Sequence, residues 1–292
     1  MHRVQSVLTQ FLMTVVFAAA ASAAPVFSGT AAFEFAKQAV NFGPRPAGSD
    51  ANHKLQAYIL KQAAVRGAQV TEDPFTARTP RGNIAMKNIL VKFPGTSGRA
   101  IAITGHFDTK DLPGVRFVGA NDGASSTAVL LELAKVLEGQ PRVDDVYLVF
   151  FDGEEAFGDW SDTDSIYGSK HLAERWRADG TLKRLKALIN VDMIGDKDLD
   201  IMEDANSDIG LRRLVGKVAA DLGYKRNFSA PLGPMEDDHL PFVRAGVPSL
   251  DVIDFDYAPW HKDSDTIDKI GPRSLEIVGN VMVEMIRRLE HP

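Results

Sequence analysis

The sequence predicts an α/β fold in which helices cover both faces of a mainly parallel sheet. Short apolar segments typical of buried strands, such as residues 100–104 and 147–151, alternate with segments of helical periodicity. This alternation is the pattern of βαβ units, whose crossover helices lie on the faces of a parallel sheet. The chain shows no internal repeat, low-complexity segment or linker, and we therefore expect a single domain after its N-terminal segment.

Each element follows from the spacing of apolar residues and from the breakers between them. A loop is expected at residues 43–48, where proline and glycine interrupt the helical pattern, and residues 223–240 show no regular pattern. Helices are predicted over residues 31–40, 52–65, 119–137, 167–177, 208–222 and 272–289. The third of these opens in the glycine-rich segment 119–127. Strands are predicted over residues 70–75, 83–93, 100–104, 147–151, 185–191 and 247–253.

The composition excludes several classes of function. The 292 residues are 45% hydrophobic and 25% charged, as in ordinary soluble globular proteins. A formal net charge of -6 argues against nucleic acid as a partner, because nucleic-acid binders carry a basic excess or patch. The chain has no cysteine, which excludes disulfides, thiolate metal sites and cysteine nucleophiles.

Residues 1–23 are predicted to be a cleaved signal peptide. A short polar start precedes an apolar run over residues 11–21, and Ala21-Ser22-Ala23 has the small-x-small pattern of a cleavage site. The run is shorter than the roughly 20 residues that a membrane-spanning helix needs. We therefore expect a mature domain over residues 24–292, secreted or periplasmic, with no stable membrane insertion.

Polar residues follow successive predicted strands, at the end where ligands bind in open α/β sheets. They are His106, Asp108, Asp122, Glu154, Glu155, Asp192 and His261. Carboxylates and imidazoles without sulfur suit a catalytic zinc site, although ligand type alone also allows manganese. Two adjacent glutamates repel each other, so the simplest arrangement assigns one of them to a metal and the other to proton transfer.

The order of these segments resembles peptidase family M28, the zinc aminopeptidases and their relatives, over nearly the whole mature chain. Within that family the likeness is greatest to the glutaminyl cyclases, also called glutaminyl-peptide cyclotransferases. The likeness to the family rests on His106-Phe-Asp-Thr, Gly119-Ala-Asn-Asp122, Asp152-Gly-Glu-Glu155, Asn190-Val-Asp192 and Trp260-His261. The likeness to the cyclases rests on residues 150–157, 160–173 and 236–248.

The resemblance implies a three-layer α/β/α sandwich around a mixed, mainly parallel twisted sheet. It implies that Asp122, Glu155 and His261 bind one zinc ion and that Glu154 is the acid and base. It further implies a carboxyl network of Asp192 and Asp237, pocket walls from Trp160 and Trp260, and Glu236 at the rim. The substrates would be peptides or proteins with an N-terminal glutamine, cyclised to pyroglutamate with loss of ammonia, and the protein would be a monomer.

Two alternatives remain open at the level of sequence. In a di-zinc aminopeptidase of the same family, Asp122 would bridge two ions, His106 and Asp192 would complete the second site, and Glu154 would deprotonate a bridging water. An exported binding module that has lost catalysis would show damage in the ligand set, and the sequence shows none. The aromatic residue that closes the pocket is also open between Phe255 and Tyr257, because residues 254–259 depart from the animal cyclases in length and acidity.

Overall fold

The computed structural model describes residues 26–291, in which strands and helices alternate as the apolar pattern predicts. The predicted signal peptide lies outside the described residues. The strands are β1 (Gln69–Thr79), β2 (Gly82–Phe93), β3 (Ala100–His106), β4 (Asp145–Phe151), β5 (Leu185–Asp192), β6 (Met202–Asp204), β7 (Ala230–Gly233) and β8 (Ser249–Ile253). The helices are α1 (Gly29–Asn41), α2 (Asp50–Ala63), α3 (Ala124–Leu137), α4 (Tyr167–Ala178), α5 (Ile209–Asp221), α6 (Leu240–Arg244) and α7 (Pro272–Glu290).

A six-stranded sheet in the order β1-β2-β4-β3-β5-β8 forms the centre of the domain. The strands β4, β3, β5 and β8 are parallel to one another, whereas β1 and β2 form an antiparallel hairpin at one edge, and β2 also pairs antiparallel with β4. The hairpin is antiparallel because only Pro80 and Arg81 separate its strands, and parallel strands need a much longer crossover. The sheet is therefore mixed and mainly parallel, which confirms the predicted fold class.

The central strands are buried on both faces, which gives the domain three layers. All seven residues of β3 and all seven of β4 are buried. Along β4, Leu148 and Phe150 belong to the core beneath helices α1, α3 and α7, whereas Val149 and Phe151 belong to a second core with Trp176 of α4. Because side chains alternate along a strand, one apolar segment supplies both cores.

The segment predicted to be irregular, residues 223–240, contains one strand that the sequence analysis missed. This strand, β7, pairs in parallel with the equally unpredicted β6 to form a separate two-stranded sheet. Helix α6, which begins at Leu240, was also missed. Elements of three to five residues are too short to show a hydrophobic period, which explains all three omissions.

Helix α7 packs against Phe27 at Gly279, where a side chain would collide with the ring. A Cβ built on Gly279 would lie 2.3 Å from Phe27 Cε1, and Phe27 is buried. We expect Gly279→Ala to lower the free energy of unfolding by about 1–3 kcal/mol through overpacking, measured by urea denaturation. The control is Gly216→Ala in α5, where an added Cβ would meet no atom within 4 Å apart from its chain neighbours and the backbone of its own helix. Alanine there is expected to raise stability by about 0.4–1 kcal/mol. Stabilisation by both substitutions would contradict the prediction.

None of the helices among residues 26–291 is both long enough and apolar enough to span a bilayer.

Candidate active site and metal centre

A cavity of about 450 Å³ lies at the carboxyl ends of the parallel strands. Glu154 and Glu155 follow β4, Asp192 ends β5 and Ile253 ends β8, so the strands themselves deliver these side chains to one rim. The nine predicted site residues all line this cavity: Asp122, Glu154, Glu155, Trp160, Asp192, Glu236, Asp237, Trp260 and His261. His106, the further residue of the two-metal alternative, is buried behind it.

Asp122, Glu155 and His261 bring three donor atoms within reach of one cation. The Nε2 of His261 lies 3.4 Å from Asp122 Oδ2 and 3.3 Å from Glu155 Oε1. A tetrahedral zinc ion with bonds of about 2.0–2.1 Å requires donor separations of about 3.3 Å. Asp122 Oδ2 is buried without a hydrogen-bond partner among residues 26–291, and a cation would satisfy it. The geometry and the chemistry of this donor set therefore fit zinc with an open fourth position.

A second group of donors, His106, Asp122 and Asp192, shares Asp122 with the first. The Nε2 of His106 lies 3.2 Å from Asp122 Oδ1 and 3.1 Å from Asp192 Oδ1. Asp192 Oδ1 also accepts the backbone N–H of Met193 at 2.8 Å. Contacts within the protein engage donors of both groups, since Glu155 Oε1 accepts the backbone N–H of Lys110 at 3.0 Å. Asp122 Oδ2, the oxygen nearest His261, has no hydrogen-bond partner among residues 26–291.

Asp108 holds the two adjacent glutamates in place. Its Oδ1 accepts the backbone N–H of Glu154 at 3.1 Å, and its Oδ2 accepts that of Glu155 at 3.3 Å. Gly153, with φ of 72°, makes the tight turn that separates these residues from β4, and a Cβ there would lie 2.5 Å from Met86 Sδ. The Asp-Gly-Glu-Glu segment therefore presents its two carboxylates from a fixed backbone.

Glu154 lies in a setting that favours its protonated form. Burial raises the pKa of Glu154 well above its usual range, and the neighbouring charge of His106 opposes this rise only in part. The negative charges of Glu155 and Asp237 raise the pKa further. Burial and the nearby charge of Asp192 likewise raise the pKa of Asp237 to about 7. A carboxyl group with a raised pKa can both accept and return a proton near neutral pH.

Asp265 connects the Asp122 loop to the loop that carries His261. Its Oδ1 and Oδ2 accept the backbone N–H groups of Asn121 and Asp122 at 2.9 and 3.2 Å. The hydroxyl of Tyr257 donates to Asp265 Oδ1 at 2.6 Å. The sequence analysis missed Asp265, because its position four residues after His261 carries no recognisable spacing signal.

Arg45, also missed, supports the site from behind. It lies in the predicted 43–48 loop, is buried, and donates through Nε to Phe107 O at 2.8 Å and through Nη2 to Gly119 O at 2.9 Å. Burial lowers the pKa of Arg45 to about 10, while Asp122 and other nearby carboxylates favour its charged form. One buried cation thus binds the backbone just after β3 and the backbone just before Asp122.

Aromatic residues form the mouth of the cavity. The indole Nε1 of Trp160 donates to Glu236 Oε2 at 3.1 Å, which joins two loops across the opening. Trp260 stacks on His261 with ring centroids 4.2 Å apart and contacts Phe255 at 4.9 Å. Phe255 lines the cavity, whereas Tyr257 is buried away from it. The aromatic side chain that the sequence left open between these two positions is therefore Phe255.

Two site residues adopt left-handed backbone conformations that side chains rarely favour. Met193 has φ of 47° and His261 has φ of 53°. Such residues persist only where surrounding contacts hold them, and they cluster at functional sites. Here they turn the chain directly after Asp192 and directly after Trp260, so the strain lies within the cavity itself.

Comparison with known proteins places this chain in a family. The model described as Peptidase family M28 matches residues 88–286, more than half of the chain. The glutaminyl-peptide cyclotransferase of Drosophila melanogaster is 30% identical over 254 residues, which cover 78% of this chain and 72% of that protein.

Solved structures are similar over a greater length. The glutaminyl cyclase of an Acidobacteriales bacterium has 40% sequence identity and a TM-score of 0.88, and the match covers 94% of this chain and 99% of that one. The glutaminyl cyclase of Porphyromonas gingivalis has 28% identity and a TM-score of 0.83, with 90% and 98% covered.

Proposed function

The chain belongs to peptidase family M28, and we propose that it is a zinc-dependent glutaminyl-peptide cyclotransferase. It would convert the N-terminal glutamine of peptides or proteins to pyroglutamate with release of ammonia. The observation that supports this most directly is the donor group of Asp122, Glu155 and His261 beside Glu154, in which Asp122 Oδ2 has no hydrogen-bond partner among residues 26–291. That group lies in an aromatic-walled cavity of a chain 40% identical to a glutaminyl cyclase.

We assign one zinc ion to Asp122, Glu155 and His261. Their donor separations fit tetrahedral zinc, and the orphaned Asp122 Oδ2 belongs to this group. When bound there, zinc would act as a Lewis acid that polarises the γ-carbonyl of the glutamine side chain and stabilises negative charge on its oxygen.

Glu154 moves the proton in the proposed reaction. The α-amine of the substrate attacks its own side-chain amide carbon, so that a C–N bond forms within the substrate and the bond to the amide nitrogen breaks. Glu154 accepts the proton that the amine loses and returns it to the departing nitrogen, which leaves as ammonia. Burial and the negative charges of Glu155 and Asp237 keep the pKa of Glu154 high, and the charge of Asp192 in turn raises the pKa of Asp237.

Trp160, Trp260 and Phe255 hold the substrate in its reactive conformation. The glutamine side chain must fold back so that the amine meets the γ-carbon, and orientation of this kind supplies a large share of the rate in intramolecular reactions. The indoles of Trp160 and Trp260 flank the cavity, and Phe255 contacts Trp260. Their apolar faces exclude water from the reacting groups, and Glu236 fixes Trp160 through its hydrogen bond.

The proposal is tested by assaying the zinc-loaded protein on two substrate classes. We expect ammonia release from glutaminyl peptides, no hydrolysis of aminoacyl anilides, and one zinc ion per chain by atomic emission. Two tightly bound ions, with anilide hydrolysis and no cyclisation, would overturn it.

The di-zinc aminopeptidase remains the second candidate because Asp122 offers one carboxylate oxygen to each donor group. In that arrangement His106 and Asp192 would bind the second ion. The similarity to glutaminyl-peptide cyclotransferases and glutaminyl cyclases favours the first candidate over it. An inactive binding module fits less well, because the ligand set is intact.

Asp265 is expected to control zinc affinity without binding zinc. It accepts the backbone N–H groups of Asn121 and Asp122, so Asp265→Ala would release the loop that aims the Asp122 carboxylate. Loss of such outer contacts weakens metal binding by about 10–100-fold. Competition with a chromogenic chelator measures the change. Asp268→Ala, an exposed carboxylate three residues on, is the control, and equal zinc affinity in both variants would contradict the role of Asp265.

We also propose that the enzyme is exported and that its substrates share its compartment. The support is the signal-like pattern of residues 1–23, whose apolar run ends in Ala21-Ser22-Ala23.

A further inference from the structure

Two exposed carboxylates lie at the mouth of the cavity, and the proposed reaction does not use their charge. Glu236 and Asp159 both line the cavity and are both exposed. The Glu236 carboxylate is held over the opening because its Oε2 accepts the indole N–H of Trp160 at 3.1 Å. Its other oxygen, Oε1, has no hydrogen-bond partner within residues 26–291 and remains available to a substrate.

The basic side chain that lines the cavity is engaged by groups inside it. Lys110 is the sole lysine or arginine among the described residues that line it. Its Nζ donates to Ala156 O at 2.8 Å and lies 3.8 Å from Glu155 Oε2. The charge of Lys110 is therefore directed toward the floor of the cavity, and the mouth keeps a negative character.

The direction of the substrate brings its next residues to this mouth. The reacting end of a glutaminyl peptide must reach the floor, where Asp122 and Glu155 are 3% and 5% exposed. The rest of the peptide continues from the carbonyl of that first residue and leaves the cavity through its opening. Its second and third side chains thus pass Glu236 and Asp159, and also the indoles of Trp160 and Trp260, which are 37% and 40% exposed.

We propose that the mouth selects glutaminyl peptides with lysine or arginine at the second or third position over those with aspartate or glutamate there. The inference rests on the proposed function and adds a substrate class to it. A basic side chain would meet carboxylates and exposed indole faces, both of which attract cations, whereas an acidic one would meet like charge. The net charge of -6 acts in the same direction during encounter.

The size of the preference follows from the exposure of these groups. One exposed ion pair changes a binding constant by about 1.4–5-fold. Two carboxylates that attract a basic side chain and repel an acidic one therefore give a preference for the basic peptide over the acidic peptide of about 10-fold. Salt screens exposed charges, so the ratio is expected to fall toward unity at 0.5 M NaCl.

The test compares Gln-Lys-Ala-amide, Gln-Ala-Ala-amide and Gln-Glu-Ala-amide by kcat/KM for ammonia release at low salt. The charge ratio is kcat/KM for the lysine peptide divided by that for the glutamate peptide. We expect it to be about 10 for the wild type and to fall about 2–5-fold in Glu236→Gln, which removes one of the two charges. Taking the ratio within one variant cancels any general loss of activity. Glu236→Lys should lower it further. Glu34→Gln, which removes an exposed carboxylate on α1, is the matched control and should retain the wild-type ratio.

Two kinetic outcomes would overturn the inference. One is a wild-type charge ratio within twofold of unity, and the other is an unchanged ratio in both Glu236 variants. Failure of the proposed function is distinguishable, because the wild type would then release no ammonia from Gln-Ala-Ala-amide. Calorimetric binding of the same peptides to Glu154→Gln measures the charge preference independently of turnover, and equal affinities there would also overturn it.

Discussion

Replacement of Glu154 by glutamine is expected to lower kcat by about 10²–10⁴-fold, the contribution typical of a general acid–base residue. Glutamine keeps the shape of the side chain but cannot accept a proton from the substrate amine. Asp108 binds the backbone of Glu154, not its side chain, so the turn should be unaffected. Zinc content should also stay at the wild-type level, since the proposed ligands are Asp122, Glu155 and His261.

The measurement is the rate of ammonia release at saturating glutaminyl peptide, together with zinc content and the midpoint of urea denaturation. A loss of activity that accompanies loss of zinc or of stability would assign Glu154 a structural role. Full activity in Glu154→Gln would refute both enzymatic interpretations of the cavity, because the cyclase and the aminopeptidase each need this carboxylate.

Replacement of the next residue, Glu155→Gln, is expected to abolish activity by a different route. Glu155 Oε1 lies 3.3 Å from His261 Nε2 and is one of three proposed donors to zinc. An amide oxygen carries no net charge, so the affinity for zinc should fall by more than the 10–100-fold that follows loss of an outer contact. Activity should fall in parallel and should recover in part when zinc is added.

Zinc affinity by chelator competition and activity at increasing zinc concentration measure this effect. The two neighbouring substitutions control for each other, because both change one glutamate to glutamine in the same fixed turn. Glu154→Gln should separate activity from metal content, and Glu155→Gln should change both together. Wild-type zinc affinity in Glu155→Gln would remove Glu155 from the donor set.

The sequence by itself determined the architecture of the central sheet and the set of candidate residues. Strands such as β4 are apolar along their whole length because both faces are buried, and this pattern is visible without coordinates. Polar residues at strand ends gather at one rim in any parallel sheet, so His106, Asp122 and Asp192 could be predicted to lie together. The resemblance to family M28 then supplied the roles proposed for them.

Only the tertiary structure decided which contacts support those residues. Arg45 and Asp265 act on backbone groups that are distant in the chain, and hydrogen bonds of this kind follow no local period. The strands β6 and β7 could not be predicted because they are too short to show a pattern, and they form because they pair with each other.

Our proposal of one metal ion also uses contacts that only the folded chain provides. The sequence contains both donor groups, and their residue types are equivalent as ligands. The structure shows that Asp192 already binds His106 and the backbone of Met193, whereas Asp122 Oδ2 has no partner within residues 26–291. A residue's type states what it can bind, but the hydrogen bonds around it determine which of its atoms remain available, and these form only when the chain has folded.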